Sequence, residues 1–208
     1  MEGDRESWNA MWRERAGELE SPASFLVEHA HLLPAQGKAL DLAGGAGRNA
    51  VWLARRGLDV TLVDVSDVAI TRAETKAASA GVKLRARRVD LDQSLDLAPL
   101  YDVVVMVHFL DREHRDAYAH LLVDGGLLVH VQQTVKNLER HARPSRRFLV
   151  EEGELAAWVG ELGFETLVHR EDWNDDGVHE AAVIARRVAG DRRTPEAEPV
   201  PPSGGPYR

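Results

Sequence analysis

Cysteine is absent from the 208 residues, which removes disulfides, thiolate metal sites and cysteine nucleophiles together. Positive charge is in short supply: 26 Lys and Arg stand against 34 Asp and Glu, a formal net charge of −8. A protein that grips phosphates without regard to sequence needs the opposite excess, so no nucleic-acid partner is expected. No apolar run approaches the ~20 residues that span a bilayer, so no membrane partner is expected. The opening MEGDRESWNAMWRER lacks the apolar stretch of a secretory signal, and a soluble, cytoplasmic protein is expected. The G-x-S-x-G elbow and the G-K-[ST] phosphate loop are both missing. His29 and His31 lie two apart, and His114 and His120 six apart. Neither is a ligand spacing, and no metal is expected.

What is present is ordinary globular composition, 44% hydrophobic and 29% charged, in a chain that suits one domain. Residues 1–37 read as a helical lead-in or lid, with Trp8, Met11 and Trp12 on one face and a second short helix over 25–33 ended by Pro34. From Lys38 strands and helices alternate. Strands are expected at 38–43, 58–65, 82–90, 101–109 and 127–133. Helices are expected at 48–57, from Ser66 or Asp67 to Gly81, from Asp111 to about Val123, and at 151–163. Strands at 164–170 and 179–187, joined through the turn WNDDG (173–177), close the sheet. The segment 189–208 holds five of the nine prolines and no apolar period, and reads as a disordered tail. The main domain therefore runs over 38–188. Its pattern is that of an α/β three-layer sandwich with a mostly parallel sheet.

The informative stretch is ALDLAGGAGRNA (39–50), which joins the first of these strands to its helix. Gly44, Gly45 and Gly47 let the backbone turn tightly and approach a ligand. The next helix aims its free N–H groups at the same place. Two ligands compete. Gly45-Ala46-Gly47-Arg48-Asn49-Ala50 satisfies the loose dinucleotide pattern G-x-G-x-x-G/A. Asp41, at the end of the strand, is unhelpful beside a pyrophosphate and useful beside a ligand with positive charge and no phosphate. S-adenosylmethionine is such a ligand. Asp64, 23 positions later at the end of LDVTLVD, can accept from both ribose hydroxyls. Asp90, in RRVDLD, can accept from an adenine amino group while the Leu91 N–H donates to a ring nitrogen. Three acids at successive strand ends are more than a dinucleotide enzyme needs.

ALDLAGGAGRNAVWLARRGLDVTLVDVS resembles motif I and its acidic partner in the class I S-adenosylmethionine-dependent methyltransferases, with Ala43 at the usual first glycine. The R-N after the glycines and RRFLVEEGEL (146–155) resemble, more narrowly, the tellurite-resistance (TehB-like) branch. The resemblance spans about residues 20–187. It implies a Rossmann-like fold with seven strands, the last antiparallel, and a cofactor lying over the first strands. Carried over, Asp41, Ala43, Gly44, Gly45 and Gly47 border the methionine moiety, with Arg48 and Asn49 beside them. Asp64 and Val65 hold the ribose, and Asp90 and Leu91 the adenine. Val107 and His108 lie near the sulfonium. Gly44 stands where relatives often carry cysteine. Tellurite enzymes have late basic residues, whereas EDWNDDGVHE (171–180) is acidic.

Methyl transfer is an in-line displacement that needs positioning and exclusion of water. It needs a base only for weakly acidic acceptors. His108 is the candidate base or donor, and Asp111 reads as a helix cap. Arg140, Arg143, Arg146 and Arg147, with His141, could hold an anionic substrate. Trp12, with Trp8, could close over the site. The expected function is methyl transfer from S-adenosylmethionine to a small molecule, releasing S-adenosylhomocysteine, by a monomer or homodimer. The alternatives are a nicotinamide-dependent oxidoreductase and a non-catalytic binder of S-adenosylmethionine.

Overall fold

The structure, a computed structural model, describes residues 2–14, 21–92, 97 and 100–189. The strands are β1 (Lys38–Leu42), β2 (Asp59–Asp64), β3 (Arg85–Arg88), β4 (Tyr101–Val107), β5 (Leu122–Gln133), β6 (Glu165–Trp173) and β7 (His179–Arg186). The helices are α1 (Glu2–Glu14), α2 (Ser24–Glu28), α3 (Arg48–Arg55), α4 (Asp67–Ser79), α5 (Arg115–Ala119) and α6 (Glu154–Glu161). The strands form one sheet in the order β3-β2-β1-β4-β5-β7-β6. All pairings are parallel except those of β7, which runs antiparallel to both β5 and β6. This is the Rossmann-like sandwich expected, with the last strand reversed.

Two apolar layers flank the sheet because β1 and β4 are covered on both faces. Ala39, Val103 and Val105 join Phe25, Leu26, Ala50, Leu53 and Leu62 on one face. Leu40, Leu42, Val104 and Met106 join Tyr118, Leu155, Trp158 and Val159 on the other. The period of two sorts the side chains, which is why these strands read as continuous apolar runs. Each fully buried Leu or Val contributes about 1.5–3 kcal/mol. Strand order reverses between β1 and β4. In open α/β sheets the crevice outside the carboxyl ends at that reversal is where ligands bind.

Some elements differ from expectation. The helix expected from Asp111 to Val123 shrinks to α5. Asp111 Oδ1 instead accepts from the N–H groups of Glu113 and His114, closing a turn before the helix. Leu122 and Val123 belong to β5, and Asp124-Gly125-Gly126 lies inside that strand. The β4–β5 register shifts between Tyr101 and Val103 there. A β-carbon on Gly126 would lie 2.9 Å from the Val123 carbonyl oxygen. The helix expected at 25–33 stops at Glu28 and continues as a 3-10 turn over Ala30–Leu32. The expected face of α1 is also different: Asn9 is buried and Trp12 half-buried, while Trp8 is exposed. Asn9 is drawn in because its Oδ1 accepts from the Ser66 hydroxyl at 2.7 Å and the Val68 N–H at 3.3 Å. The tail expected over 189–208 lies outside the described residues beyond Ala189.

Candidate active site

β1 ends at Leu42, and the chain turns through Ala43 (φ 51°) and Gly45 (φ 55°) into Gly47 (φ 80°), the N-cap of α3. Ala43 holds a left-handed conformation that costs an alanine about 1–2 kcal/mol, so the turn is imposed by its surroundings. Gly44 has no room for a side chain. A β-carbon there would lie 2.7 Å from Asp41 Oδ2 and 2.8 Å from Leu62.

Two carboxylates sit on either side of this turn. Asp41 pairs in register with Leu62 of β2 on one side and Val105 of β4 on the other. It is 1% exposed, and among the described residues neither of its oxygens has a hydrogen-bond partner. The Ala50 amide favours its ionised form without reaching hydrogen-bond geometry. Burial dominates and raises the Asp41 pKa to about 7, against the pull of Arg48. Asp64 is also buried. Its Oδ2 accepts from the Gly45 N–H at 2.9 Å and its Oδ1 from the Ser66 N–H at 2.8 Å. Burial raises its pKa as well, opposed by those amides. Ser66 caps α4, its hydroxyl accepting from the Ala69 N–H, so Asp64 is not needed as the cap.

The other expected residues fall at recorded places around this centre. Arg48 is half-buried and donates to the Ser21 carbonyl; burial lowers its pKa, opposed by Asp41 and Glu180. Asn49 is buried, and its Oδ1 accepts from the Ala23 N–H, tying the α2 segment to α3. Val65 and Asp90 are half-buried and Leu91 is buried. Asp90 Oδ1 accepts from the Asp92 N–H at 3.2 Å. Trp12 lies on the glycine turn: a β-carbon on Gly45 would be 2.5 Å from its Cζ2.

Leu42 pairs with Met106, so the next residues, Ala43 and Val107, leave their strands side by side. His108 follows at φ 58°, a left-handed conformation uncommon outside glycine but one that Asn, Asp and His adopt more readily than other side chains. Its Nε2 lies 2.7 Å from Glu180 Oε1. Glu180 Oε2 accepts from Asn174 Nδ2 at 3.0 Å. Burial would raise Glu180, but His108, Asn174 and Arg170 outweigh it and hold the carboxyl below its usual range. Sequence reasoning missed Glu180 and Asn174, which it read as part of an acidic turn. It also missed Asn9.

The arginine cluster lies between β5 and α6, as expected. Arg140 stacks over Trp173 at 3.6 Å, and His141 Nε2 contacts the Gly177 carbonyl at 2.8 Å. Arg146 pairs with Glu151 at 2.7 Å and Arg147 lies over Phe148, while Arg143 is exposed. Among the described residues none of them bonds to the glycine turn, Asp64, His108 or Glu180. Arg146 lines a cleft of about 680 Å³ with Lys136, His169 and Glu171, beyond the end of β5. The glycine turn, the buried acids and His108 meet at the β1–β4 reversal instead.

Three features fit S-adenosylmethionine at that reversal. Among the described residues Asp41 is a buried carboxylate with no hydrogen-bond partner, Gly44 and Gly45 keep the backbone free of side chains against Asp41 and Trp12, and Asp64 presents acceptors beside it. Comparison with known proteins agrees. Residues 39–126 match the family described as "Methyltransferase domain". A ribosomal RNA small subunit methyltransferase C from Alcanivorax borkumensis is 35% identical over 105 residues, 48% of this chain and 31% of that protein. The chain thus spans under a third of that relative's length. A structure titled for the conversion of a disulfide bond into a thioacetal group during echinomycin biosynthesis superposes with TM-score 0.69 at 21% identity, covering 90% of this chain and 93% of that one. TehB from Haemophilus influenzae gives 0.66 at 20%, covering 86% and 67%. Magnesium protoporphyrin IX methyltransferase from Synechocystis, with S-adenosylhomocysteine bound, gives 0.59 at 19%, covering 89% and 84%. From Ala39 to Gly126 the chain thus matches the methyltransferase-domain family, and its fold is the one these solved structures share.

Proposed function

We propose that the protein moves a methyl group from S-adenosylmethionine to a small-molecule acceptor, leaving S-adenosylhomocysteine. The observation that carries this reading is the pair of buried carboxylates flanking the glycine turn, one of them with no hydrogen-bond partner among the described residues. A buried carboxylate lacking a partner is costly unless a ligand supplies one. A pyrophosphate would add negative charge beside Asp41 and Asp64, whereas an ammonium and a sulfonium add the opposite charge. That argument speaks against the nicotinamide alternative, for which the similar structures give no support.

In this reading the residues divide the work. Asp41 and the turn Ala43–Gly47 receive the methionine end, with Arg48 beside them. Asp64 and Val65 take the ribose, and Asp90 and Leu91 the adenine. Val107 and His108 border the reacting centre. Asn49 supports the turn from below through Ala23. α1 serves as the lid, with Trp12 over the turn and Asn9 fastening it to Ser66. Bound there, the sulfonium supplies an electrophilic methyl carbon with a neutral thioether as leaving group. The site is rimmed by acids, and Arg140, Arg146 and Arg147 contact Trp173, Glu151 and Phe148, which favours a neutral acceptor over an anion. The thioacetal and TehB relatives extend the chemistry of this fold to soft nucleophiles only by analogy. No helix among the described residues is long and apolar enough to cross a membrane. The proposed setting is the cytoplasm, as monomer or homodimer.

A co-crystal with S-adenosylhomocysteine tests the assignment. The ribose hydroxyls are expected within hydrogen-bond distance of Asp64 and the sulfur beside Val107. A ribose bound away from Asp64 would contradict it.

A further inference from the structure

We propose that Glu180, held by Asn174, orients His108 as the base that takes a proton from a neutral hydroxyl acceptor, a phenol or alcohol, during methyl transfer. This rests on the methyltransferase reading and adds to it a substrate class and a positioning residue.

The geometry begins with the backbone. His108 leaves β4 in a left-handed conformation, which sets where its side chain departs from the sheet end. Its N–H donates to the Val131 carbonyl at 2.8 Å, which fixes the turn to β5. The ring then meets Glu180, 72 residues away, at 2.7 Å. Glu180 is the buried partner, with its side chain 12% exposed, while the His108 side chain is 34% exposed. The carboxylate is thus a fixed support, and the imidazole faces open space.

An ionised carboxylate only accepts, so Nε2 carries the proton and donates it to Glu180. Asn174 occupies the second oxygen of Glu180. In the neutral ring Nδ1 keeps its lone pair, and among the described residues it has no hydrogen-bond partner. This is the arrangement of a base with its orienting acid. The charged and titratable groups around the pair are Arg48 on α3 and Arg170 on β6, both acting on Glu180, and His130 on β5, which faces His108 and is kept neutral by burial. Arg170 is anchored by Glu28 at 2.9 Å.

The acids explain why a base is useful here. Asp64 and Glu180 are acids at this end of the sheet, offset only in part by Arg48 and Arg170, so a neutral acceptor is favoured there over an anion. A neutral hydroxyl enters without that penalty but is a poor nucleophile until its proton leaves. In the step, an oxygen lone pair forms the new bond to the methyl carbon. The carbon–sulfur bond breaks with its electron pair remaining on sulfur, which becomes a neutral thioether. The hydroxyl proton passes to Nδ1 of His108, and the imidazolium is balanced by Glu180.

The test uses the full chain, with S-adenosylhomocysteine binding as the control for folding and for the donor site. The acceptors are ring-substituted phenols, from weakly acidic members to members largely ionised at neutral pH. His108→Asn keeps a residue that tolerates the left-handed backbone but cannot take the proton. It should lower kcat about 10²- to 10⁴-fold on the weakly acidic phenols and little on the ionised ones. The loss should shrink as pH rises towards the ordinary phenol pKa of about 10. Glu180→Ala should follow the same pattern more mildly, and Glu180→Gln, which keeps a neutral acceptor for Nε2–H, should recover part of the rate. Independently of turnover, the ring-nitrogen NMR shifts of His108 should report the Nε2–H tautomer in the wild type. Equal losses across the phenols, an Nδ1–H tautomer, or wild-type turnover confined to already ionised acceptors would each overturn the proposal. Failure to bind S-adenosylhomocysteine would instead overturn the donor assignment on which it rests.

Discussion

Asp41 and Asp64 do opposite things to the free protein and to its ligand. Asp64 is satisfied by two backbone amides and offers its remaining lone pairs outward. Asp64→Ala should weaken S-adenosylhomocysteine binding by about 1–3 kcal/mol, read by calorimetry, because hydrogen bonds to a charged group are lost. An unchanged dissociation constant would contradict the ribose assignment. Asp41 is buried with no hydrogen-bond partner among the described residues, with its pKa raised from 3.8 to about 7. Folding therefore favours its neutral form. The stability it supports is full below pH 3.8 and is lost as pH rises through 7, with a total of order 4 kcal/mol. Asp41→Asn should remove that slope, so the variant gains stability relative to wild type between pH 4 and 8 while binding the cofactor less well. Parallel pH profiles of the two melting curves would refute this. Both acids were legible in the sequence because a strand end, a glycine turn and a second strand end fix their spacing locally. Glu180 was not, because its partner His108 lies 72 residues away and nothing near Glu180 in sequence marks it.

At the scale of elements, α1 is fastened by few groups. Asn9 accepts from Ser66 and Val68, and Trp12 rests on Gly45. Asn9→Ala should speed hydrogen exchange in 2–14 while leaving the global unfolding midpoint nearly unchanged, since α1 adds little to the two apolar layers. An exchange pattern identical to wild type would show that Asn9 does not hold the helix. The sequence marked α1 as a helix but assigned it the wrong face. Tryptophans usually choose the buried side, but here a polar side chain with a partner at the start of α4 decided it. β5 carries a different constraint. His130 is 1% exposed, packs edge-on against Trp158 at 5.5 Å, and has its Nε2 3.1 Å from the Phe109 carbonyl. Burial pushes its pKa down from 6.5 to about 4. The neutral ring is favoured in the fold, so its contribution is full above pH 6.5 and is lost as pH falls through 6.5 towards 4, by about 3 kcal/mol. His130→Leu should flatten stability over that window, whatever constant offset the lost hydrogen bond adds. The window differs from that of Asp41 in sign, which separates the two in denaturation data. The shortened α5 has a local cause too: a capping acid in a turn looks in sequence like the cap of a long helix.

For the whole molecule, strand and helix order were readable because both faces of β1, β2 and β4 are covered and their apolar runs admit few alternatives. The place where strand order reverses follows from that topology, and the glycine turn sits there. What the sequence could not supply was convergence across long separations: His108 with Glu180, Asn9 with Ser66, and the arginines of 140–147 with their own neighbours. The account stands on the reversal being a crevice for a cationic adenosyl ligand and not for a pyrophosphate. Calorimetric titration of the dialysed protein with S-adenosylhomocysteine and, separately, with NAD measures this most directly. The account predicts micromolar binding of the thioether nucleoside and no heat from NAD; binding of NAD alone would contradict it.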